Sequence, residues 1–190
     1  MDDRSSPSRH VRSNLEGLGR VFPAPYLFSY IMQDATEPLT VDTDLNLIGV
    51  SWMPGTVGVS MDFGLLSEAD FGRLNRQVKL ATSLRPLQAD AVTLLLTPPA
   101  SAEPDWEVVE QVSVSTGRGL LFAFSGPDAG DARIRLQRLD RTGIYEVRSS
   151  DQRLIGRFTG ALLTDVGLAI ERVDGSSAQI ITFGPVSSTR

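Results

Sequence analysis

No cysteine occurs among the 190 residues, which excludes disulfides, thiolate nucleophiles, cysteine-based zinc sites and iron–sulfur clusters in one step. Histidine is nearly as scarce: His10 stands alone, so no multi-histidine metal site can form, and nothing in the chain implies a metal or a cofactor. Lys79 is the only lysine. Arginines are scattered rather than blocked, and with a net charge of −5 the chain lacks the electrostatic footprint of a nucleic-acid binder. Long apolar runs are missing as well. The longest, 94–96 and 120–124, fall far below the roughly 18 residues that span a bilayer. The opening MDDRSSPSR has no apolar core, so it does not read as a signal peptide. These absences predict a cytoplasmic protein without membrane or nucleic-acid partners.

What is present is a globular chain, 41% hydrophobic and 22% charged, long enough to bury one sizeable core or two small ones. It divides near Asp90. Before that point apolar residues fall mostly at helical spacing, and after it they alternate or cluster in short strand-like runs. Val11, Leu15, Leu18 and Phe22 predict an amphipathic helix stopped by Pro23 and Pro25. A strand-like run follows at 27–32. Residues 42–50 read as a helix capped by Asp42 or Thr43, leading through the Trp52-Met53-Pro54-Gly55 break into the apolar run 57–63. Ser67-Glu68-Ala69-Asp70 resembles a capping box, with Phe71, Leu74, Val78 and Ala81 as the apolar stripe of the helix it opens and Pro86 as its end.

Beyond Asp90 the strand candidates are 92–96, 106–115, 119–125, 132–139, 144–147, 154–158, 168–173 and 178–183, with a short helix at 161–165. Turns rich in Pro, Gly, Ser and Asp separate them, 97–105 being read as a surface loop and Gly117-Arg118-Gly119 as a hairpin turn. Many short strands at close spacing predict an antiparallel sandwich.

Several stretches carry a family likeness, and they occur in order: MDDRSS, RVFPAPYLFSYIMQDATEP, IGVSWMPGTVGVSMDFGLLSEADFGRLNRQVKLATSLRPL, GLLFAF, IRLQRLD, GIYEV and FTGALLTDVGLAI. Together they resemble the C-terminal part of α-galactosidases of glycoside hydrolase family 36. The resemblance implies an α+β chain. Residues 1–90 would be the end of a catalytic (β/α)₈ barrel, a remnant of helices and one strand, and 91–190 an antiparallel β-sandwich domain.

The resemblance also implies an activity, the retaining hydrolysis of terminal α-galactosides. The family's general acid/base is the first Asp of an Asp-Asp-Thr-Asp or Asp-Asn-Thr-Asp motif, whose counterpart here is Met1-Asp2-Asp3-Arg4-Ser5. Asp2 is therefore the catalytic candidate, although Arg4 and Ser5 replace the Thr-Asp. A carboxylate so close to a terminus also reads as solvated and frayed. The family's nucleophile, its neighbouring Lys and the substrate-binding aromatics belong to barrel strands that would precede residue 1, so the segment is expected to be inactive alone. Asp2 and Asp3 cannot serve as the two carboxylates of a retaining pair, because neighbours in an extended segment point to opposite faces.

Asp34 and Glu37 follow the strand-like run 27–32, and active sites gather at the C-terminal ends of barrel strands, which makes both substrate-rim candidates. Trp106 suits either stacking on a sugar ring or covering the edge of a core. Trp52 and Met53 read as core, and His10 as a residue of a helix's polar face. The partners implied are an α-galactoside and, for the open barrel, a homo-oligomer or a completing chain. The alternative function is a non-catalytic module that binds carbohydrate or protein.

Overall fold

A computed structural model describes residues 8–32, 44–97, 105–173 and 175–186. The first helix, α1 (Ser8–Gly19), is followed by a 3₁₀ turn at Ala24–Tyr26, strand β1 (Phe28–Met32), helix α2 (Leu45–Trp52), strand β2 (Thr56–Ser60) and the long helix α3 (Glu68–Gln88). α1 ends before the proline pair, as the spacing predicts. Its buried face is Val11 and Leu15, while Leu18 and Phe22 stay exposed. The cap of α2 is Asp44 rather than Asp42 or Thr43: its side chain accepts from Leu47 N at 2.8 Å, leaving 42 and 43 outside the described residues.

Ser67 caps α3 as predicted, accepting from Asp70 N at 3.1 Å. Two details of α3 differ. Pro86 lies inside the last turn, and the helix continues to Gln88. So near the end only one intrahelical bond is forfeited, while Leu84 and Gln88 are buried. The stripe is also rotated: Leu74 is buried and Ala81 half-buried, but Phe71 and Val78 are exposed.

The 57–63 run supplies a second strand where one was expected. β1 and β2 pair in parallel from Phe28↔Thr56 to Met32↔Ser60, with α2 as the crossover between them. Leu27 and Ile31 join Val11, Leu15, Trp52 and Leu74 in a small core between this pair and the helices.

The rest of the chain is mostly one antiparallel sheet. It contains β3 (Ala91–Leu95), β4 (Trp106–Ser113), β5 (Gly119–Ser125), β7 (Ile144–Ser149), β8 (Leu154–Thr159) and β10 (Ala178–Pro185), in the order β3-β4-β5-β10-β7-β8. β6 (Ala132–Ile134) and β9 (Leu168–Ile170) form a separate two-stranded ribbon, and α4 (Gly160–Asp165) links β8 to β9. β6 is much shorter than its 132–139 run because the backbone turns to other partners. Leu136 N donates to Leu163 O, Gln137 N donates to the Glu110 carboxylate, and Arg138 takes a positive φ of 55°.

The central strands β4 and β5 of the six-stranded sheet are buried on both faces. On one, Val108, Val112, Leu121, Ala123, Val147, Ile181 and Phe183 pack against Ile134, Leu136, Leu163, Leu168 and Ile170 of the ribbon and α4. On the other, Val109, Leu120, Phe122, Phe124, Ala178 and Ile180 meet Val50 and Met53 around α2 and Leu84 of α3. A strand buried on both sides needs no polar alternation, which explains the unbroken GLLFAF of β5. Trp106 is a core residue: it is buried, and its indole N–H donates to Gly130 O at 2.7 Å.

Candidate functional site

Two parallel strands joined by a crossover helix send the chain out at the same end, and in such units ligands gather at the carboxyl ends of the strands. Met32 and Ser60 are partners in the register, so that end is defined. Asp34, Glu37 and Asp2 lie outside the described residues. Among the described residues the carboxylate nearest the end of β2 is Asp62, which composition alone did not single out. It caps the 3₁₀ turn Phe63–Leu65, accepting from Gly64 N at 2.9 Å.

The faces of the pair have separate duties. Leu27, Ser29 and Ile31 are buried toward the helices. Phe28 and Tyr30 point the other way, their rings edge to face with centroids 4.6 Å apart. Tyr30 is paired with Gly58 on β2 and Phe28 with Thr56, and a Cβ added at Gly58 would crowd both rings. Glycine there leaves room for the two rings to approach the strand. Trp52 fixes β1 from behind, its indole N–H donating to Tyr30 O at 2.7 Å.

Beside β2, on the helix side, lies an apolar hollow of about 360 Å³ lined by Val57, Val59, Phe63, Phe71, Leu74 and Val78 among others. Phe63 and Phe71 meet there edge to face at 6.2 Å. A wider and more polar groove of about 630 Å³ runs between the segment after α1 and strand β3, with Arg20 and Arg138 on its walls. Neither hollow contains a pair of carboxyl groups. No group of three His, Cys, Asp or Glu able to hold a metal ion exists among the described residues.

The carboxyl groups pushed upward lie elsewhere. Burial first, then a hydrogen bond to Glu107 and the charge of Glu107, raise Glu16 to about 8, against the pull of Arg12. Burial likewise raises Glu110 to about 8, opposed by the Gln137 amide and the charge of Arg138. Glu16 and Glu110 are 5% and 0% exposed, so neither can reach a substrate, and both read as interior groups rather than catalytic ones. His10 is exposed on α1, as expected of a polar-face residue.

Known structures place this geometry. The chain superimposes with a TM-score of 0.76 on the galactosidase domain of an α-galactosidase–sucrose kinase, AgaSK, at 18% identity, covering 95% of this chain and 25% of that one. A variant of the family 36 α-galactosidase AgaA from Geobacillus stearothermophilus, in complex with raffinose, gives 0.76 at 19% identity over 96% of this chain and 25% of that one. The fold is that of glycoside hydrolase family 36. An α-galactosidase from Lactobacillus brevis agrees, with a TM-score of 0.71 at 14% identity over 89% of this chain and 24% of that one. The chain thus spans about a quarter of the length of the α-galactosidases it matches, which fits a C-terminal portion. No protein-family model and no curated protein matches the sequence. Among the described residues no helix is long and apolar enough to cross a membrane.

Proposed function

We propose that this chain is the C-terminal segment of a retaining α-galactosidase, in which 1–90 close the catalytic barrel and 91–190 form the β-domain behind it. The observation that carries the reading is the parallel β1–β2 pair with its crossover helix, set beside the six-stranded sheet in the arrangement of the family 36 fold. In this reading Phe28, Tyr30 and Gly58 face the barrel interior, and the ends of β1 and β2 border the substrate. Asp2 is the proton donor to the leaving oxygen, and Asp34 and Glu37 are substrate-rim residues.

A retaining mechanism needs a second carboxylate about 5–5.5 Å from the first. That nucleophile comes from barrel strands outside residues 1–190, so the segment alone is inactive. The substrate class is terminal α-galactosides, the reaction needs no cofactor, and the enzyme works in the cytoplasm.

The test is an immunoblot of source-cell extract with an antibody against residues 91–190, followed by assay of the native product on p-nitrophenyl α-galactoside. A band several times heavier than 20.6 kDa, active and losing activity by a factor on the order of 10²–10⁴ on Asp2→Asn, is expected. An inactive band at 20.6 kDa overturns the reading. In that case a saturable change in Trp fluorescence on raffinose titration would favour the carbohydrate-binding alternative.

A further inference from the structure

We infer that Arg12, Glu16 and Glu107 form a proton-linked latch that docks α1 onto the six-stranded sheet and weakens when the proton shared by the two glutamates is lost. Arg12 holds both oxygens of Glu107, with Nε to Oε1 at 2.6 Å and Nη2 to Oε2 at 3.1 Å. Its Nη1 donates to Ser51 Oγ of α2 at 3.1 Å, and the guanidinium lies 4.4 Å from the centre of the Phe124 ring on β5. One cation therefore joins α1, α2, β4 and β5.

Glu16 lies one helical turn beyond Arg12. Among the described residues its buried Oε1 has no hydrogen-bond partner, and its carboxyl lies within hydrogen-bonding reach of Glu107. Two carboxyl groups in contact can share that bond only if one is protonated. Arg12 already occupies both oxygens of Glu107 and Glu16 has no such partner, so the shared proton resides on Glu16, whose O–H donates to the Glu107 carboxylate. Among the described residues Arg12 is the cation that acts on Glu16: α2 presents Ser51 and Trp52, β5 presents Phe124, and β3, which also abuts α1, is Ala-Val-Thr-Leu-Leu without an ionisable group. Loss of the proton puts two negative charges against one guanidinium in a site almost without water, and undocking α1 hydrates both.

The sign follows from where the proton binds more tightly. Glu16 has an ordinary carboxylate affinity when α1 is undocked and titrates near 8 when docked. The latch is therefore at full strength below the ordinary carboxylate range, weakens as pH rises toward 8 and changes little above it. Val11 and Leu15 remain as apolar anchors of α1, so release is a local opening rather than global unfolding.

The test is hydrogen exchange of the full 190-residue chain between pH 6 and 9.5, corrected for the intrinsic pH dependence. Protection of peptide 8–19 should fall at least about tenfold, the equivalent of one pKa unit of coupling, while β5 and β10 keep theirs. Glu16→Gln stays neutral and still donates to Glu107, so it should abolish the fall. Glu110→Gln, on the opposite face of the sheet, should leave it intact. Carboxyl ¹³C titration of Glu16 in the unaltered protein gives an independent reading, with a midpoint above 7 expected. A Glu16 midpoint in the ordinary carboxylate range, or an undiminished fall in Glu16→Gln, overturns the latch.

Discussion

Gln88 and Gln111 meet amide to amide inside the protein: Gln88 Nε2 donates to Gln111 Oε1 at 2.8 Å, and each amide also donates to a backbone carbonyl of the turn after α2. Gln88 reaches Met53 O and Gln111 reaches Pro54 O, both at 2.7 Å. Thr93 Oγ1 of β3 takes a further bond from Gln111 at 3.2 Å. One pair of side chains thereby joins the end of α3, the entry to β2 and two strands of the sheet. Replacing Gln111 by Leu leaves Pro54 O, Thr93 Oγ1 and the Gln88 amide with one partner fewer. We expect a loss of about 2–3 kcal/mol, read from urea unfolding.

The second prediction concerns Glu110, which is buried in the middle of β4 with Oε1 unpartnered among the described residues. Burial raises it to about 8 from 4.5. The folded state thus holds this proton more tightly than the unfolded chain, so the contribution is fully present below about 4.5, declines as pH rises and is lost by about 8. Each pH unit in that window removes at most about 1.4 kcal/mol per group. Glu110→Gln should flatten the pH dependence of the urea midpoint between pH 5 and 8. An unchanged slope would contradict the assignment.

Gly160 opens α4 with its Cα pressed against the backbone of Asp140, so close that a Cβ would overlap the carbonyl. Here the backbone must shift, since no flexible side chain can yield. Gly160→Ala should cost at least about 2 kcal/mol and lower the melting temperature by several degrees. Gly17, where a Cβ would meet open space, is the control. Gly17→Ala should be neutral or stabilising by up to about 1 kcal/mol.

Arg141 grips Asp165 through two hydrogen bonds of 2.8 and 2.6 Å, but both side chains are more than half exposed. Removing either should leave the melting temperature nearly unchanged, and the small difference should shrink further at high salt. A larger loss in thermal unfolding would show that the pair organises the Asp140 turn rather than decorating it.

The strand segments after Asp90 were legible because their apolar runs are short and fenced by turn residues, and β5 begins and ends where its run does, at Gly119 and Ser125. β6 was overextended because Arg133 and Arg135 kept an alternating pattern beyond Ile134, while the backbone had already turned to α4 and Glu110. β2 was less legible as a strand: a Val-Gly-Val run after a Pro-Gly break does not announce a parallel partner 28 positions earlier, as in Phe28↔Thr56. The α3 stripe misled because Phe71 and Val78 sit at good helical spacing yet stay exposed. Periodicity shows that a face is apolar, without showing what covers it. For the site, family likeness supplied Asp2, and position after the strand-like run 27–32 supplied Asp34 and Glu37; all three lie outside the described residues. Phe28, Tyr30 and Gly58 emerge only once the parallel register is known. The Arg12–Glu16–Glu107 cluster was out of reach, because no spacing rule links a helix to a strand residue 95 positions away.

The six-stranded sheet is a party wall, and neither tenant owns it. Cutting the chain at Asp90 would remove Val50, Met53 and Leu84 from one side of it and leave Val109, Leu120, Phe122, Phe124, Ala178 and Ile180 facing solvent. A bare apolar surface of that kind recruits other proteins or precipitates. Anyone producing the β-rich half for crystallisation or binding work should therefore carry α2 and α3 along with it.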